Sequence, residues 1–321
     1  MSGLRAAVAL LAMLAPAALA AEVYPAKPIR FVVAFPPGGG TDIIARSIAQ
    51  KLAERFAQQV VVDNRPGAGG NVGTEIVAKA APDGYTMLMG SAGPLAINAS
   101  LFAKMPFDPI RDLAPVTLAA STPNVLVVHP SLPAGTLQEL IALARARPGE
   151  LNFASSGQGT PAHLAGELFN SMAGVRLIHV PYKGAAPALT DVLSGQVQIM
   201  FSTMPPALPH VKDGRLRALA VASLKRSPAM PELPTLDEAG LPGFEANTWH
   251  GVMVPAGTPG AIISTLHREI VAILHRPDVI ERLSSQGAEP VGGTPEEFAA
   301  YIKSETIKWA KVVRESGAKA E

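Results

Sequence analysis

The chain has 321 residues, with 27 Lys plus Arg against 26 Asp plus Glu and a formal net charge of +1. That balance leaves no basic field for nucleic acid or for an anionic membrane surface. The complete absence of cysteine excludes a disulfide scaffold, a thiolate nucleophile and every cysteine-ligated metal.

Arg5 is the only charge before Glu22, and between them runs an apolar stretch over residues 6–14, then Pro16 and the small-residue triplet Ala18-Leu19-Ala20. This pattern predicts a secretory signal over residues 1–20, cleaved before Ala21, and hence export to the periplasm. A membrane anchor would need about 20 apolar residues, more than this run supplies. Cleavage removes Arg5 and no acid, so the 27 basic residues fall to 26 and the mature chain has a formal charge of zero. The remaining ~300 residues, apolar enough to build a core without staples, suit two ordinary domains or one large one.

Beyond the leader, apolar runs of strand length alternate with helix-period segments. Residues 29–35 read as a buried strand, and in residues 41–56 Ile44, Ile48, Leu52 and Phe56 fall four apart on one helical face. Strand-like runs recur at 60–62, 86–89, 125–128, 151–154, 177–180, 198–201 and 216–221, with helical segments at 72–81, 136–146 and 161–172 between them. Strands interleaved with helices imply mostly parallel sheets covered on both faces. Thr160-Pro161, Thr258-Pro259 and Thr294-Pro295 each place a hydroxyl N-cap before proline at the first helical position, and Thr136 with Glu139 and Thr294 with Glu297 form capping boxes. Phe298, Ile302, Trp309 and Val313 give the last segment an apolar stripe.

Proline- and glycine-rich segments at 106–115 and 231–243 separate these units into two groups, and a final strand at 247–254 leads into the terminal helices. The expectation is two α/β lobes joined by two crossover strands. Lobe 1 comprises residues 21–120 plus 246–321, lobe 2 comprises 121–245, and the hinges fall near 113–122 and 245–252.

Two turns carry the candidate chemistry. In Phe35-Pro36-Pro37-Gly38-Gly39-Gly40-Thr41-Asp42 a strand ends in glycines that open directly into a helix, whose free N–H groups and dipole favour an anion. No Gly-Lys-Ser/Thr follows, so this is not a nucleotide-phosphate loop. Ser155-Ser156-Gly157-Gln158-Gly159-Thr160 is a second strand-to-helix turn, and the acidic ribose partner of a dinucleotide site is missing about 20 residues later. Facing each other across a cleft, two such turns hold a carboxylate from both sides. No Gly-x-Ser-x-Gly elbow, His-Glu-x-x-His pair or other metal spacing occurs, so neither a cofactor nor a metal is expected. His163, near Ser155 and Ser156, is the only suggestive nucleophile–base pair, and a capping or ligand-contacting role suits it better than hydrolysis.

Tyr24-Pro-x-Lys-Pro-Ile, Phe35-Pro-Pro-Gly-Gly-x-x-Asp42, Asn64-Arg-Pro-Gly-Ala-Gly-Gly, Pro82-Asp-Gly-Tyr85, Ser156-Gly-x-Gly-Thr-x-x-His-Leu164, His179-Val-Pro-Tyr-Lys-Gly184 and Gly214-Arg-Leu-Arg-Ala-Leu-Ala220 occur in that order. Together they resemble the Bug (TctC-like) extracytoplasmic solute receptors of tripartite tricarboxylate transporters over essentially the whole mature chain. The resemblance implies a type II periplasmic-binding-protein fold, a monomer that captures a small organic acid and delivers it to membrane permease subunits. A sensor for a membrane signalling partner is the alternative use of the same receptor. Carried over by motif, the ligand contacts are Phe35, Pro36, Pro37, Gly38, Gly39 and Gly40, with Asp42 supporting the turn, and the Ser91 loop. From the second lobe come Ser155, Ser156, Gly157, Gly159, Thr160 and His163, then Tyr182, Lys183, Gly184 and Ala185, with Asp191 steadying that wall. Many members carry an acid after the strand at 198–201, whereas Ser202 and Thr203 stand here, which implies a plain carboxylic acid over an amino acid.

Overall fold

The computed structural model describes residues 24–316 and 318–319; the expected signal peptide lies outside them. The first lobe opens with β1 (Ile29–Val33), α1 (Gly40–Phe56), β2 (Val60–Asn64), α2 (Asn71–Ala78) and β3 (Thr86–Ser91). A π-helical turn, Gly93–Ile97, then leads into the single-turn α3 (Asn98–Leu101). β1 pairs in parallel with both β2 and β3, so the carboxyl ends of these strands lie on one edge.

The chain then enters β4 (Leu113–Val128), a strand of 16 residues, where the sequence pattern had suggested only its last four. Residues up to Pro123 pair antiparallel with the returning strand β9 (Asn247–Pro255), while Asn124 to Val128 pair with β7 (Ile199–Thr203) and, from Val125, with β8 (Arg217–Val221). Between them lie α4 (Leu137–Ala146), β5 (Asn152–Ser155), α5 (Pro161–Ala173), β6 (Ile178–Pro181), α6 (Ala185–Leu193) and α7 (Met204–Lys212). β5 pairs in parallel with β6 and β7. After β9 come α8 (Gly260–Leu274), α9 (Pro277–Ser284), the short β10 (Glu289–Pro290) against β4, and α10 (Pro295–Ser316).

The outcome is two α/β lobes joined by the crossover strands β4 and β9. The expectation of mostly parallel sheets fails at those strands, because β4 and β9 run antiparallel to each other and to their neighbours β3 and β7. Two crossings in opposite directions require this. Asn124 fixes the crossing point: its Nδ2 donates to the Ala246 carbonyl at 2.7 Å and its Oδ1 accepts from the Thr248 hydroxyl at 3.2 Å, all buried.

Helix starts follow the sequence at Thr136, Thr160 and Thr294, whose hydroxyls accept the N–H of Glu139, His163 and Glu297. Thr258 departs from it. Its hydroxyl donates to the Pro255 carbonyl at 2.8 Å, and α8 begins two residues later without a side-chain cap. Along β4 the pleat sends Leu126 and Val128 into one apolar cluster and Val125 and Val127 into another. The first cluster is continuous across both lobes, since it joins Val32 and Leu95 to Phe153 and Phe169 and is closed by Trp249, Phe298 and Trp309.

At its centre Glu305 of α10 accepts two indole N–H groups on one oxygen, from Trp249 at 2.8 Å and Trp309 at 2.9 Å. Glu305→Leu strands both donors in an apolar interior, at about 1–3 kcal/mol each. The expected loss is about 2–6 kcal/mol in urea unfolding, with Glu305→Gln milder because its amide oxygen still accepts. Equal stability of Glu305→Leu and the wild type would contradict the pinning role.

Candidate functional site

The parallel strands β1, β5 and β6 and the strand β7 all end at the cleft between the lobes, and each feeds a helix there. The first turns of α1, α5, α6 and α7 therefore converge, each with N–H groups that have no intrahelical partner. Gly39, Gly184 and Thr203 stand at the N-cap positions of α1, α6 and α7, and no side chain caps any of the three. Only α5 is capped from within, by Thr160.

These turns enclose an inner chamber with a free volume of about 30 Å³, room for about two waters or one carboxylate head. Of the residues singled out in the sequence, Phe35, Gly39, Gly40, Ser91, Ser156, Thr160 and Ala185 line it. Thr203, noted in the sequence without a contact assigned to it, lines it as well, and so do Thr41, Pro161, Thr248 and His250, which the sequence did not single out. Thr248 and His250 sit on β9, where nothing in the local sequence distinguishes a cleft-facing residue from an ordinary strand residue. No charged side chain contributes to the lining. His250 is buried, which pushes its imidazole down to about 3, so it is neutral. Its Nε2 meets the Thr122 hydroxyl at 3.2 Å, but its Nδ1 has no partner, and neither does the hydroxyl of its strand neighbour Ser91. Two residues paired across β3 and β9, both lining the chamber, thus each carry an unsatisfied polar atom.

Phe35 and Ser156 also line an outer chamber of about 240 Å³ at the cleft mouth, together with Gly157, Tyr182, Lys183 and the 3₁₀ turn Ala68–Gly70.

The other sequence-chosen residues line neither chamber; several of them hold the walls. Gly38, at φ +81°, donates its N–H to Asp42 Oδ2 at 3.0 Å. The same carboxylate accepts from Arg46 Nε and Asn64 Nδ2, both at 2.9 Å. Burial alone would raise this acid, but those donors hold it below its ordinary value, so it is ionised with its charge already satisfied. Pro36 packs on Gly184, where a Cβ would stand 2.5 Å from the ring, and Gly69 and Gly159 meet the opposite lobe at Gln158 and Asn98 with no room for a side chain. Pro37 is exposed beside this seam.

Ser155 is fully buried, with its hydroxyl 2.6 Å from His179 Nε2 and accepting the Gly157 N–H. His163 accepts from the Gly159 N–H and stacks on His179 at 4.0 Å. The serine that pairs with a histidine therefore does so behind the chamber wall and not within it. Burial lowers His163 to about 4; burial and its neighbour lower His179 to about 3. The 3.7 Å approach of His163 to Glu167, an acid raised by burial, is accordingly not an ion pair. Tyr182 donates to Asp191 at 2.7 Å, with its own hydroxyl raised to about 12 by burial and by that acid, which braces this wall. Ser202 turns its hydroxyl to the Thr203 carbonyl, so only Thr203 reaches the chamber.

Two lobes, two crossover strands and a cleft lined by helix N-termini define a solute-binding receptor of the periplasmic-binding-protein fold. The family model for the tripartite tricarboxylate transporter family receptor, TctC, matches residues 44–318, and the chain belongs to that family. Protein BugT of Bordetella pertussis is 45% identical over 304 residues, which cover 94% of this chain and 93% of that one. The structure of R. palustris Rpa4515 with adipate is 40% identical with a TM-score of 0.91, covering 92% of this chain and 99% of that one. MatC (Rpa3494) from Rhodopseudomonas palustris, with bound malate, is 33% identical with a TM-score of 0.86, covering 90% and 100%. Members of the family are substrate-binding receptors, and among the described residues no helix is long and apolar enough to cross a membrane.

Three neutral histidines, His163 and His250 buried and His179 half-buried, make stability depend on pH. Their native pKa values lie below the unfolded value of about 6.5, so as pH falls through 6.5 the unfolded chain takes up protons that the native state refuses until about pH 4. Stability is therefore fully present above the unfolded value and lost below it, by about 1 kcal/mol per histidine between pH 6.5 and 5.5. Urea midpoints measured across this range should fall steadily, and a flat profile would show these rings to be protonated in the native state.

Proposed function

We propose that the chain is an extracytoplasmic receptor, exported by the signal at residues 1–20, that captures a small carboxylate between its lobes and delivers it to tripartite-type permease subunits. It acts as a monomer and without catalysis. The observation that carries this reading is the inner chamber: uncapped first turns of three helices, two unsatisfied buried polar atoms on residues that line it, and no charged side chain in its lining. Helix N-termini favour an anion through exposed N–H groups and the dipole, and a dry site makes those dipoles count for more than in water. A carboxylate supplies acceptors for N–H and hydroxyl donors, and a cationic amine would meet no counter-charge there. A chamber of about 30 Å³ takes the carboxylate head and leaves the rest of the acid to the outer chamber. The complexes of similar proteins with adipate and malate support small organic acids as the class.

The ligand residues are those lining the inner chamber, from Phe35, Gly39 and Gly40 in one lobe to Ser156, Thr160 and Ala185 in the other. Asp42, Ser155, His163 and Asp191 act through the walls. Lobe limits at 120/121 and 245/246, with hinges in 113–122 and 245–252, are supported by the change of strand partners at Asn124 and by its ties to Ala246 and Thr248. Each lobe supplies part of the ligand's hydrogen bonds, so binding favours the closed state by the difference in affinity between the two states.

The test is calorimetry of the purified mature protein against succinate, malate, adipate and related acids. Ser91→Ala removes one donor to a charged group, about 1.5–3 kcal/mol, and so weakens the best acid roughly 10- to 100-fold with the thermal midpoint of the free protein little changed. His250→Ala is expected to act in the same direction. Unaltered affinity in both variants would place the ligand elsewhere, and a radius of gyration that does not fall on saturation would remove the closure step.

A further inference from the structure

A groove with a free volume of about 550 Å³ runs along the outer flank of α1 where the lobes meet. One lobe supplies Ile43 and Arg46 from α1 and Arg282 from α9; the other supplies Leu208 and Lys212 from α7. Its floor is apolar, and its rim carries three cations against one acid, Asp213, in a chain whose charges otherwise balance. Among the described residues Lys212 forms no ion pair, and Arg282 reaches only the Gln50 side chain, at 3.5 Å. Gln286 contributes a buried Oε1 that has no partner.

The third cation links the groove to the ligand cradle. Arg46 Nε holds Asp42 Oδ2 at 2.9 Å, and that same oxygen receives the Gly38 N–H of the glycine turn. A single guanidinium thus forms part of the groove wall and of the hydrogen-bonded support behind the chamber.

The geometry points to this groove as the surface on which the transporter's membrane subunits dock, its occupant being an acidic segment of those subunits. This rests on the delivery reading given above. Acidic side chains fit the unpaired Lys212 and Arg282, and apolar neighbours of those side chains fit the floor formed by Ile43 and Leu208. Because the two walls belong to different lobes, the spacing between Lys212 and Arg282 is set by how the lobes stand. A rigid segment therefore binds the closed, loaded receptor better than the open one, which is the differential affinity that selective recognition requires. A carboxylate arriving at Arg46 competes with Asp42 for the guanidinium. That competition weakens the support of the Gly38 turn and favours release of the acid towards the partner.

The experiment is binding of the full mature receptor to its transporter's membrane subunits in nanodiscs of neutral phosphatidylcholine, by interferometry, at low and moderate salt. Wild-type binding is expected to weaken as salt rises, since the contacts are between charges near the surface. The double variant Lys212→Glu with Arg282→Glu, neither residue touching the ligand chambers, should bind the subunits at least ten-fold more weakly while keeping the wild-type melting temperature. Lys212→Gln with Arg282→Gln should fall between the two, and it serves if charge reversal disturbs folding. Equal binding of wild type and both variants overturns the groove alone and leaves delivery standing. A wild type that fails to bind the subunits at all overturns the delivery reading together with the groove. Loss of binding to protein-free discs of anionic phosphatidylglycerol, with binding to the subunits unchanged, would make the patch a lipid contact and overturn the proposal.

Discussion

The first turn of every helix presents N–H groups that its own backbone does not satisfy, and in this molecule three such turns are left without a side-chain cap at one place. They are brought together by topology: strands β1, β5, β6 and β7 end on the cleft, and the helices that follow begin there. Burying those groups away from water without an acceptor costs free energy, so the closed cleft is complementary to an anion before any particular side chain is considered. The absence of charge in the lining follows the same logic, because fixed dipoles attract an anion without a competing cation to desolvate.

Much of the remaining chemistry keeps that arrangement in place. Asp42, an acid behind the wall of an anion site, would repel the ligand if it were free; instead Gly38, Arg46 and Asn64 saturate its oxygens, and it becomes the brace of the glycine turn. Ser155, His179 and His163 do the equivalent in the other lobe, where a hydroxyl and two neutral rings hold Gly157 and Gly159 in place. Neutrality is favoured there, since burial disfavours charge on either ring and the two stand only 4.0 Å apart.

Between the lobes, cohesion and mobility are separated. β4 and β9 carry the chain across, tied at Asn124, and the C-terminal helix packs against elements of both lobes around the Trp249–Glu305–Trp309 cluster. At the cleft itself the contacts are of another kind, with glycines 69, 159 and 184 letting backbone approach the Gln158 carbonyl, the Asn98 side chain and the Pro36 ring across the seam. Such surfaces part with little loss of buried apolar area, whereas the cluster under α10 cannot.

Local order determined much of what could be read from the sequence: the βα alternation, the threonine caps at 136, 160 and 294, and the two glycine turns, since each depends on residues within a few positions of one another. The motif series likewise carried the family and, with it, the fold. Tertiary structure alone decided that β4 is one strand of 16 residues serving both lobes, that Thr258 bonds back to Pro255 in place of capping α8, that Thr203 and not Ser202 reaches the chamber, and that Thr41, Thr248 and His250 join it. It also decided that Ser155 and His163 stand behind the wall. These outcomes turn on which face of a strand or helix meets a segment more than 100 residues away, as with Ser91 beside His250 or Asn124 beside Ala246. Local periodicity specifies that a face is buried, and only the packed fold specifies against what.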